Sequence, residues 1–226
     1  MPKRRRTHAN SEPRRGRNLG LHQRQSHAKT AAVTADVKRM VDVCPSSLMG
    51  TRNRALLLVG FAGAFRRSEL VSLDVEDAQF TQDGLVVTLR RSKTDQEGEG
   101  RKVGLPYGSH PTTCPVRSLR AWLEQAAITR GPIFRYVDRH GNVGPNRLTD
   151  QVVALVVKRC AVTAGLEAAR YAGHSLRAGL ATAAAEADVS ERAIMAQTGH
   201  KSLPMVRRYI RQGSLFKQNA AAQVGL

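Results

Sequence analysis

The apolar residues of this chain change their spacing twice, from a helical period to a strand period and back. Near the start, apolar positions at helical spacing predict a helix with Thr34 as its N-cap, which Pro45 ends. Residues 50–64 are apolar nearly all round, so they predict a buried helix. A short helix is expected to follow at 66–73.

In the middle of the chain the apolar period is two. Residues 85–90 and 101–105 predict strands on either side of a polar turn, and 78–80 predicts an edge strand. Helical spacing returns in five later segments: 114–127, 149–165, 174–187, 190–199 and 203–211. This order of helices, a small antiparallel sheet and further helices predicts an α+β, mostly helical domain.

Particular residues mark helix ends in the later segments. Thr149 and Ser190 precede helical patterns and are expected to be N-caps, because their side-chain oxygens can accept a backbone N–H of the first turn. Gly199 is expected just past the end of a helix, where glycine readily adopts a left-handed conformation. The last helix is expected to begin around 202–204, with a proline in its first turn.

Positive charge dominates the composition. The 226 residues include 36 Lys and Arg against 18 Asp and Glu, for a net charge of +18, which points to a polyanionic partner and most often to nucleic acid. Residues 1–30 are poor in apolar residues and carry +8, so a flexible basic arm is expected there, either in contact with DNA or simply solvated. The few aromatic residues favour duplex DNA held by its phosphates over stacked single strands.

Other composition signals exclude several classes. The three cysteines lie far apart without a CxxC pair, so neither a zinc module nor a disulfide framework is expected. No apolar run approaches the roughly 18 residues of a membrane span. The basic start lacks the apolar region of a secretory signal, so a cytoplasmic protein without membrane contact is expected.

Two blocks place arginines beside possible partners. His174 and Arg177 are three apart on a predicted helix and share a face, although a capping histidine with a surface arginine would look the same. Arg66 follows the buried helix, where a guanidinium must be paired or hold an anion, and Glu69 could supply a purely structural pair. The adjacent Arg67 points about 100° away on a helix, so only one of the two arginines can face a common site.

Two further blocks contain a lysine and a tyrosine. Lys93 lies at the tip of the predicted hairpin, where by itself it would be a surface lysine. His200 and Tyr209 are nine apart and would point in opposite directions on one continuous helix. Gly199 and Pro204 interrupt that helix, so both side chains can face one point.

Together, the blocks FRRSEL, RRSKTD, GHSLRAG and TGHKSLPMVRRYIR resemble those of the tyrosine recombinase (phage integrase) family, in the family's order and at its usual separations. The resemblance covers about residues 31–213. It implies a site-specific DNA recombinase or integrase that cleaves and rejoins duplex DNA through a 3′-phosphotyrosine intermediate, with no metal or other cofactor. The implied catalytic residues are Arg66, Lys93, His174, Arg177, His200 and Tyr209, with Glu69 as the supporting acid.

The residue types suit this chemistry. Ionising a free phenol of pKa near ~10 at pH 7 costs about 4 kcal/mol, which a cationic site would offset at Tyr209. Arg66 and Arg177 would hold the non-bridging oxygens and stabilise the transition state. The resemblance treats Arg67 as non-catalytic.

The resemblance also implies proton donors and DNA contacts. Lys93 would protonate the leaving 5′ oxygen, His174 would act as acid and base toward Tyr209, and His200 would hydrogen-bond the phosphate. The residues expected to bind DNA outside the catalytic set are Arg90, Arg91, Lys201, Arg207 and Arg208.

The expected organisation has three parts: a basic arm or linker remnant at 1–30, the catalytic domain at 31–213, and a tail at 214–226. The tail could dock on a neighbouring subunit or pack on its own chain. The family usually has a DNA-clamping domain before the catalytic one, for which these residues leave no room. The resemblance implies a homo-oligomer, a tetramer on double-stranded DNA, with accessory DNA-bending proteins as further candidate partners.

Several alternatives stay open. The chain could be a catalytically silent, truncated DNA-binding module, or a type IB topoisomerase that uses the same chemistry without synapsis. A metal-dependent nuclease or transposase would need the acids Asp74, Glu76 and Asp77, although such a run between a helix and a strand is usually a solvated turn.

Overall fold

The computed structural model describes residues 30–90 and 100–213. The expectations for the basic arm at 1–29, for Arg91 and Lys93, and for the tail at 214–226 lie outside the described residues.

Eight α-helices and two small antiparallel sheets form the described structure, which confirms the α+β, mostly helical class. The helices are α1 Thr34–Asp42, α2 Leu48–Ala62, α3 Arg67–Ser72, α4 Pro115–Gln125, α5 Asp150–Thr163, α6 Ser175–Glu186, α7 Glu191–Thr198 and α8 Leu203–Gly213. The strands β1 Ala78–Phe80, β2 Gly84–Leu89 and β3 Arg101–Pro106 form one sheet in the order β1-β2-β3. The strands β4 Arg135–Val137 and β5 Val143–Arg147 form the other.

Helix α2 forms the centre of the core. It is apolar on nearly every side, and Leu56, Leu57 and Val59 are fully buried, as its sequence predicts. The helix packs against α4, α1 and α6. On α4 the buried Trp122 donates its indole N–H to the carbonyl of Ile133 at 2.8 Å, so the largest side chain of the core has its polar atom satisfied.

The prediction that Thr34 caps the first helix is wrong. Thr34 is the first residue of α1, and the N-cap is Val33, whose side chain cannot cap. The preceding segment is anchored, because the N–H of Ala32 donates to the carbonyl of Ser175 at 2.9 Å. This tertiary bond fixes where the extended chain ends, and the helix starts directly after it.

Two other predictions of helix ends are confirmed. Ser190 caps α7 by accepting a backbone N–H of the first turn at 3.3 Å, and Gly199 ends that helix with a φ of 67°. Thr149 occupies the N-cap position of α5, but its side chain accepts no capping bond.

The β4–β5 hairpin is not anticipated by the sequence pattern. Its strands are only three and five residues long, and the second contains glycine, proline and asparagine. At the end of β5, the Arg147 guanidinium donates to the carbonyl of Val71 at 2.6 Å and to the Asp74 carboxylate at 2.7 Å. These bonds hold the β4–β5 hairpin against the end of α3, the helix whose N-cap is Arg66. Within the described residues, no helix is both long and apolar enough to span a membrane.

Candidate active site

The first functional pair lies at the start of α3. Arg66 is the N-cap of this helix, and Glu69 accepts its backbone N–H at 2.8 Å and its guanidinium in an ion pair. Glu69 is buried, whereas the Arg66 side chain keeps 20% of its surface exposed. The pair therefore does what both interpretations of the sequence require: it stabilises the helix start and holds the guanidinium in one orientation.

Arg67 takes a different direction from Arg66. Its guanidinium lies 3.6 Å from the Asp150 carboxylate at the start of α5. Its aliphatic stem lies against Gly173, where an added Cβ would come within 1.9 Å of it. The expected divergence of the two arginines is thus seen.

Arg177 on α6 is a buried cation with spare hydrogen-bonding capacity. It is 6% exposed, and its Nη1 donates to the carbonyl of Ala64 at 2.8 Å. Its other terminal nitrogen, Nη2, is buried without an acceptor among the described residues. Burial and the nearby charge of Arg66 lower the pKa of Arg177 to about 10, so the group stays charged at neutral pH.

His200 and Tyr209 face each other across the break between α7 and α8. Their ring centroids are 5.9 Å apart and the rings are tilted by 38°. His200 is 8% exposed and Tyr209 is half-buried. This arrangement confirms that the interruption after Gly199 lets both side chains face one point.

The electrostatic environment keeps both histidines neutral. Burial and the charges of Arg177 and Arg66 lower the pKa of His200 to about 4. His174, at the N-cap of α6, is exposed, and partial desolvation together with the charge of Arg67 lowers its pKa as well. Both rings therefore enter the site as neutral imidazoles near pH 7.

Arg101 belongs to the same cluster and was missed by the sequence reasoning. It begins β3, and its Nη1 donates to the carbonyl of Gln197 at 3.1 Å, near the end of α7. Its side chain lies against Gly199, where a Cβ would come within 2.8 Å of Nε. No local pattern signals a contact between residues 96 positions apart. The only hint is a basic residue at the base of the predicted hairpin.

The cluster has an excess of positive charge. Three guanidinium groups, those of Arg66, Arg101 and Arg177, interact with one another and with a single carboxylate, that of Glu69. The phenol of Tyr209 also interacts electrostatically with Arg177. A surplus of two positive charges that interact with a phenol suits an anion such as a phosphate.

The acids of the metal-dependent alternative are engaged elsewhere. Asp77 accepts from Arg90 at 2.6 Å, and Asp74 accepts from Arg147 at 2.7 Å. Glu76 accepts the backbone N–H of Gly131. Across residues 30–90 and 100–213, no group of three or more His, Cys, Asp or Glu side chains could hold a metal ion.

Of the residues expected to bind DNA, the four that the structure describes are all exposed. Lys201 and Arg208 are exposed. Arg207 pairs with Glu191 at 3.1 Å and Arg90 pairs with Asp77, and both arginine side chains stay more than half exposed. Exposed pairs of this kind are weak, so they leave both arginines available to a stronger anion.

These observations define the catalytic-domain fold of a recombinase, and comparison with known proteins agrees. Residues 33–214 match the model of the phage integrase family, and the chain belongs to that family. An integrase/recombinase XerD homolog of Selenomonas ruminantium is 49% identical over 173 residues, which are 76% of this chain and 51% of that protein. A tyrosine recombinase of Synechococcus elongatus is 30% identical over 190 residues, 82% of this chain and 55% of that protein.

Solved structures of recombinases share the fold. The XerH site-specific recombinase in a post-cleavage complex with its palindromic difH substrate has a TM-score of 0.66 at 20% identity, covering 86% of this chain and 53% of that one. A lambda integrase dimer bound to a core site has a TM-score of 0.55 at 16% identity, covering 82% of this chain and 49% of that one. The chain spans about half the length of the relatives it matches.

Proposed function

We propose that this chain supplies the catalytic domain of a site-specific tyrosine recombinase, which cleaves and rejoins duplex DNA through a 3′-phosphotyrosine. The observation that carries the proposal is the convergence of Arg66, Arg177, His200 and Tyr209 from four separate segments on one positively charged place. The buried, unpartnered Nη2 of Arg177 supports it, because such a donor stabilises a bound phosphate and destabilises the empty site.

In the proposed reaction, the Tyr209 oxygen attacks a phosphodiester. The new bond joins the tyrosine oxygen to phosphorus, and the bond from phosphorus to the 5′ oxygen breaks. Arg66 and Arg177 stabilise the charge that develops on the non-bridging oxygens. Lys93 donates a proton to the departing 5′ oxygen, as the family resemblance implies.

The preset orientation of the two arginines matters for the rate. Arg66 is held by Glu69 and Arg177 by the carbonyl of Ala64, so neither guanidinium has to be ordered when the phosphate arrives. His174 and His200 supply the remaining proton transfer and phosphate contact. Rejoining reverses the same steps with a different 5′ hydroxyl.

The proposed partners are those that the family resemblance implies. We propose double-stranded DNA as the substrate and a tetramer of this chain as the active assembly, formed in the cytoplasm, with accessory DNA-bending proteins as further candidate partners. Among the proteins that share the fold, lambda integrase has been solved as a tetramer bound to a Holliday junction, which supports the proposal. Our proposal also includes the division of the chain into an arm at 1–30, a catalytic domain at 31–213 and a docking tail at 214–226.

Covalent trapping tests the proposal. The protein is incubated, in EDTA and in parallel in Mg²⁺, with nicked duplexes drawn from DNA that flanks its own gene, and is then denatured in SDS. We expect a protein–DNA adduct that Tyr209→Phe abolishes. Tyr136→Phe is the matched control, because Tyr136 is 60% exposed on β4 and should retain the adduct. DNA binding without any adduct would support the silent binding module instead, and an adduct that requires a divalent metal would contradict the mechanism.

A further inference from the structure

The side chain of Arg101 occupies the end of α7, where carbonyl groups have no partner within the helix. The last four carbonyls of an α-helix cannot be reached by the N–H groups of that helix. In α7 these are the carbonyls of residues 195–198, and the first of them accepts the backbone N–H of Gly199 at 2.7 Å. The Arg101 guanidinium donates to the other three: Nη1 to Ala196 at 3.4 Å and to Gln197 at 3.1 Å, and Nη2 to Thr198 at 3.5 Å.

A cation is well suited to this place. The C-terminal end of a helix carries a partial negative charge, which a nearby positive group stabilises. The bond to Gln197 has an ordinary length and the two beside it are longer, so the guanidinium lies across the helix end with its shortest bond in the middle. Its terminal nitrogens are thus directed at the protein itself, whereas Nη2 of Arg177 has no acceptor among the described residues.

The strand that carries Arg101 is anchored in the core. Arg101 is the first residue of β3 and pairs with Leu89, the last residue of β2. Leu89 is buried, and so are Val103 and Leu105 further along β3. A side chain that extends from a packed strand supports its partner more precisely than one that extends from a loop. The position of the sheet therefore determines the position of the guanidinium at the end of α7.

The turn after α7 is sensitive to this side chain. Gly199 ends the helix with a left-handed backbone, and the chain continues directly to His200. An added Cβ on Gly199 would lie 2.8 Å from Nε of Arg101, so the guanidinium fills the space beside the glycine. The ring of His200 is buried, with its centroid 5.9 Å from that of Tyr209. A displacement of the end of α7 would therefore move His200 relative to Tyr209.

A second side chain joins the same elements in the opposite direction. The amide nitrogen of Gln197 on α7 donates to the carbonyl of Ala62 at the end of α2 at 2.7 Å, and to the carbonyl of Gly104 on β3 at 3.2 Å. These bonds do not involve the side chain of Arg101. A variant of Arg101 should therefore keep α7 in the fold and change the exit of the chain from that helix.

We propose that Arg101 is a positioning residue of the active site, whose guanidinium caps α7 from β3 and so fixes the α7–α8 turn that brings His200 to Tyr209. Arg101 acts through this turn and does not touch the reacting phosphate. The consequence for the reaction rests on the proposed recombinase function, whereas the consequence for the turn does not.

NMR of the DNA-free full chain tests the turn. In protein with labelled histidine and tyrosine rings, we expect a nuclear Overhauser effect between the ring protons of His200 and Tyr209, because the two rings are in contact. Arg101→Gln removes the charge and shortens the donor, so this effect should be lost. Arg101→Lys can still donate to the helix end and should retain it. A full effect in the folded Arg101→Gln variant would overturn the inference whatever its activity.

Arg39 offers a matched control at the end of another helix. Its Nη2 donates to the carbonyl of Ala164, the C-cap of α5, at 2.7 Å, and it lies beside Gly165, which also has a left-handed backbone. Arg39→Gln removes a bond of the same kind, but α5 does not lead into the turn. This variant should therefore keep both the contact between the two rings and the rate of adduct formation. An equal loss in both glutamine variants would show a general effect of destabilisation and would overturn the inference.

Adduct formation on nicked duplexes tests the consequence for the reaction. The rate is measured at saturating duplex, so that a change in affinity does not contribute. Arg101→Gln should be slower by roughly 10- to 100-fold, because a small displacement of a reacting group has a cost of this size. Arg101→Lys should recover most of the rate. An unchanged rate in Arg101→Gln, despite a lost contact between the rings, would overturn the role of Arg101 in the reaction.

The remaining outcomes separate this inference from the recombinase function. Arg101→Met keeps the apolar stem of the side chain and replaces Arg101→Gln if that variant does not fold. Failure of both variants to fold would show that the cap is needed for the fold itself, which would overturn the positioning role. If the unaltered protein forms no adduct on any duplex, the recombinase function and the expected effect on the rate are both contradicted. The contact between the rings in the Arg101 variants would still decide whether Arg101 fixes the turn.

Discussion

At the scale of single residues, the site contains groups that do not favour the folded state. Arg177 is buried with one hydrogen bond, an unpartnered donor and two like charges near it. Arg147 on β5 is the opposite case, because it contacts two carbonyls and a carboxylate. The two arginines should therefore respond differently to the loss of their charge.

We expect Arg177→Met to abolish adduct formation while lowering the free energy of unfolding by less than about 1 kcal/mol, because the lost desolvation penalty offsets the lost bond. Arg147→Met should destabilise by roughly 2 kcal/mol, because it removes satisfied charge-assisted bonds. Denaturant unfolding of both variants measures this difference. Strong destabilisation by Arg177→Met would show that the guanidinium is structural.

The depressed pKa of His200 predicts how stability varies with pH. The folded protein holds the neutral ring down to about pH 4, whereas the unfolded chain takes up the proton near pH 6.5. The contribution of this group to the free energy of unfolding is therefore complete above pH 6.5. Up to roughly 3 kcal/mol of it is lost as the pH falls to about 4. His200→Gln should flatten the pH dependence of the unfolding free energy across this window. An equally steep dependence in the variant would contradict the depressed pKa.

At the scale of elements, the break between α7 and α8 brings His200 to Tyr209. Gly199 makes the break with a left-handed backbone, and Arg101 packs against it from β3. Gln197 adds a bond from its amide to the carbonyl of Ala62 at 2.7 Å. The end of α7 is thus tied to β3 and to the end of α2.

Gly199→Ala should therefore damage both stability and activity. A left-handed alanine costs roughly 1–2 kcal/mol, and its Cβ would also displace the Arg101 side chain. Gly141→Ala is the control, because Gly141 has a φ of 89° with open space around it and should lose stability only. Unfolding and adduct assays compare the two, and equal activity in both variants would show that the contact with Arg101 is dispensable.

Structural features that depend on residues close together in the sequence could be predicted, whereas features that depend on distant contacts could not. The strands β1 to β3, the buried α2 and the break at Gly199 follow from local period and end signals. Thr34 fails as a cap because a bond from Ala32 to α6 decides where the helix starts. The motifs lead to Arg66, Arg177, His200 and Tyr209, but Arg101 contacts a carbonyl 96 positions away, which no motif describes.

At the scale of the whole molecule, the net charge of +18 should favour encounter with the DNA that we propose as the substrate. Arg4, Arg5 and Arg6 belong to the densest basic run of the first thirty residues, which begins at Lys3. We expect their replacement by glutamine to weaken duplex binding and to reduce the slope of log affinity against log salt by up to about 3, from ~0.9 for each lost phosphate contact. Replacing the same three arginines by lysine should leave the slope unchanged, because the positive charges are kept. An unchanged slope in the glutamine variant would show that this run does not contact phosphate.

The identity of the residue that becomes bonded to DNA tests the central claim most directly. The trapped adduct is digested with nuclease and protease, and the nucleotide-bearing peptide is sequenced by mass spectrometry. The account predicts a 3′-phosphate ester on Tyr209, in a peptide that lies between Arg208 and Arg211. An ester on Tyr107, Tyr136 or Tyr171, or a linkage to any other side chain, would contradict it.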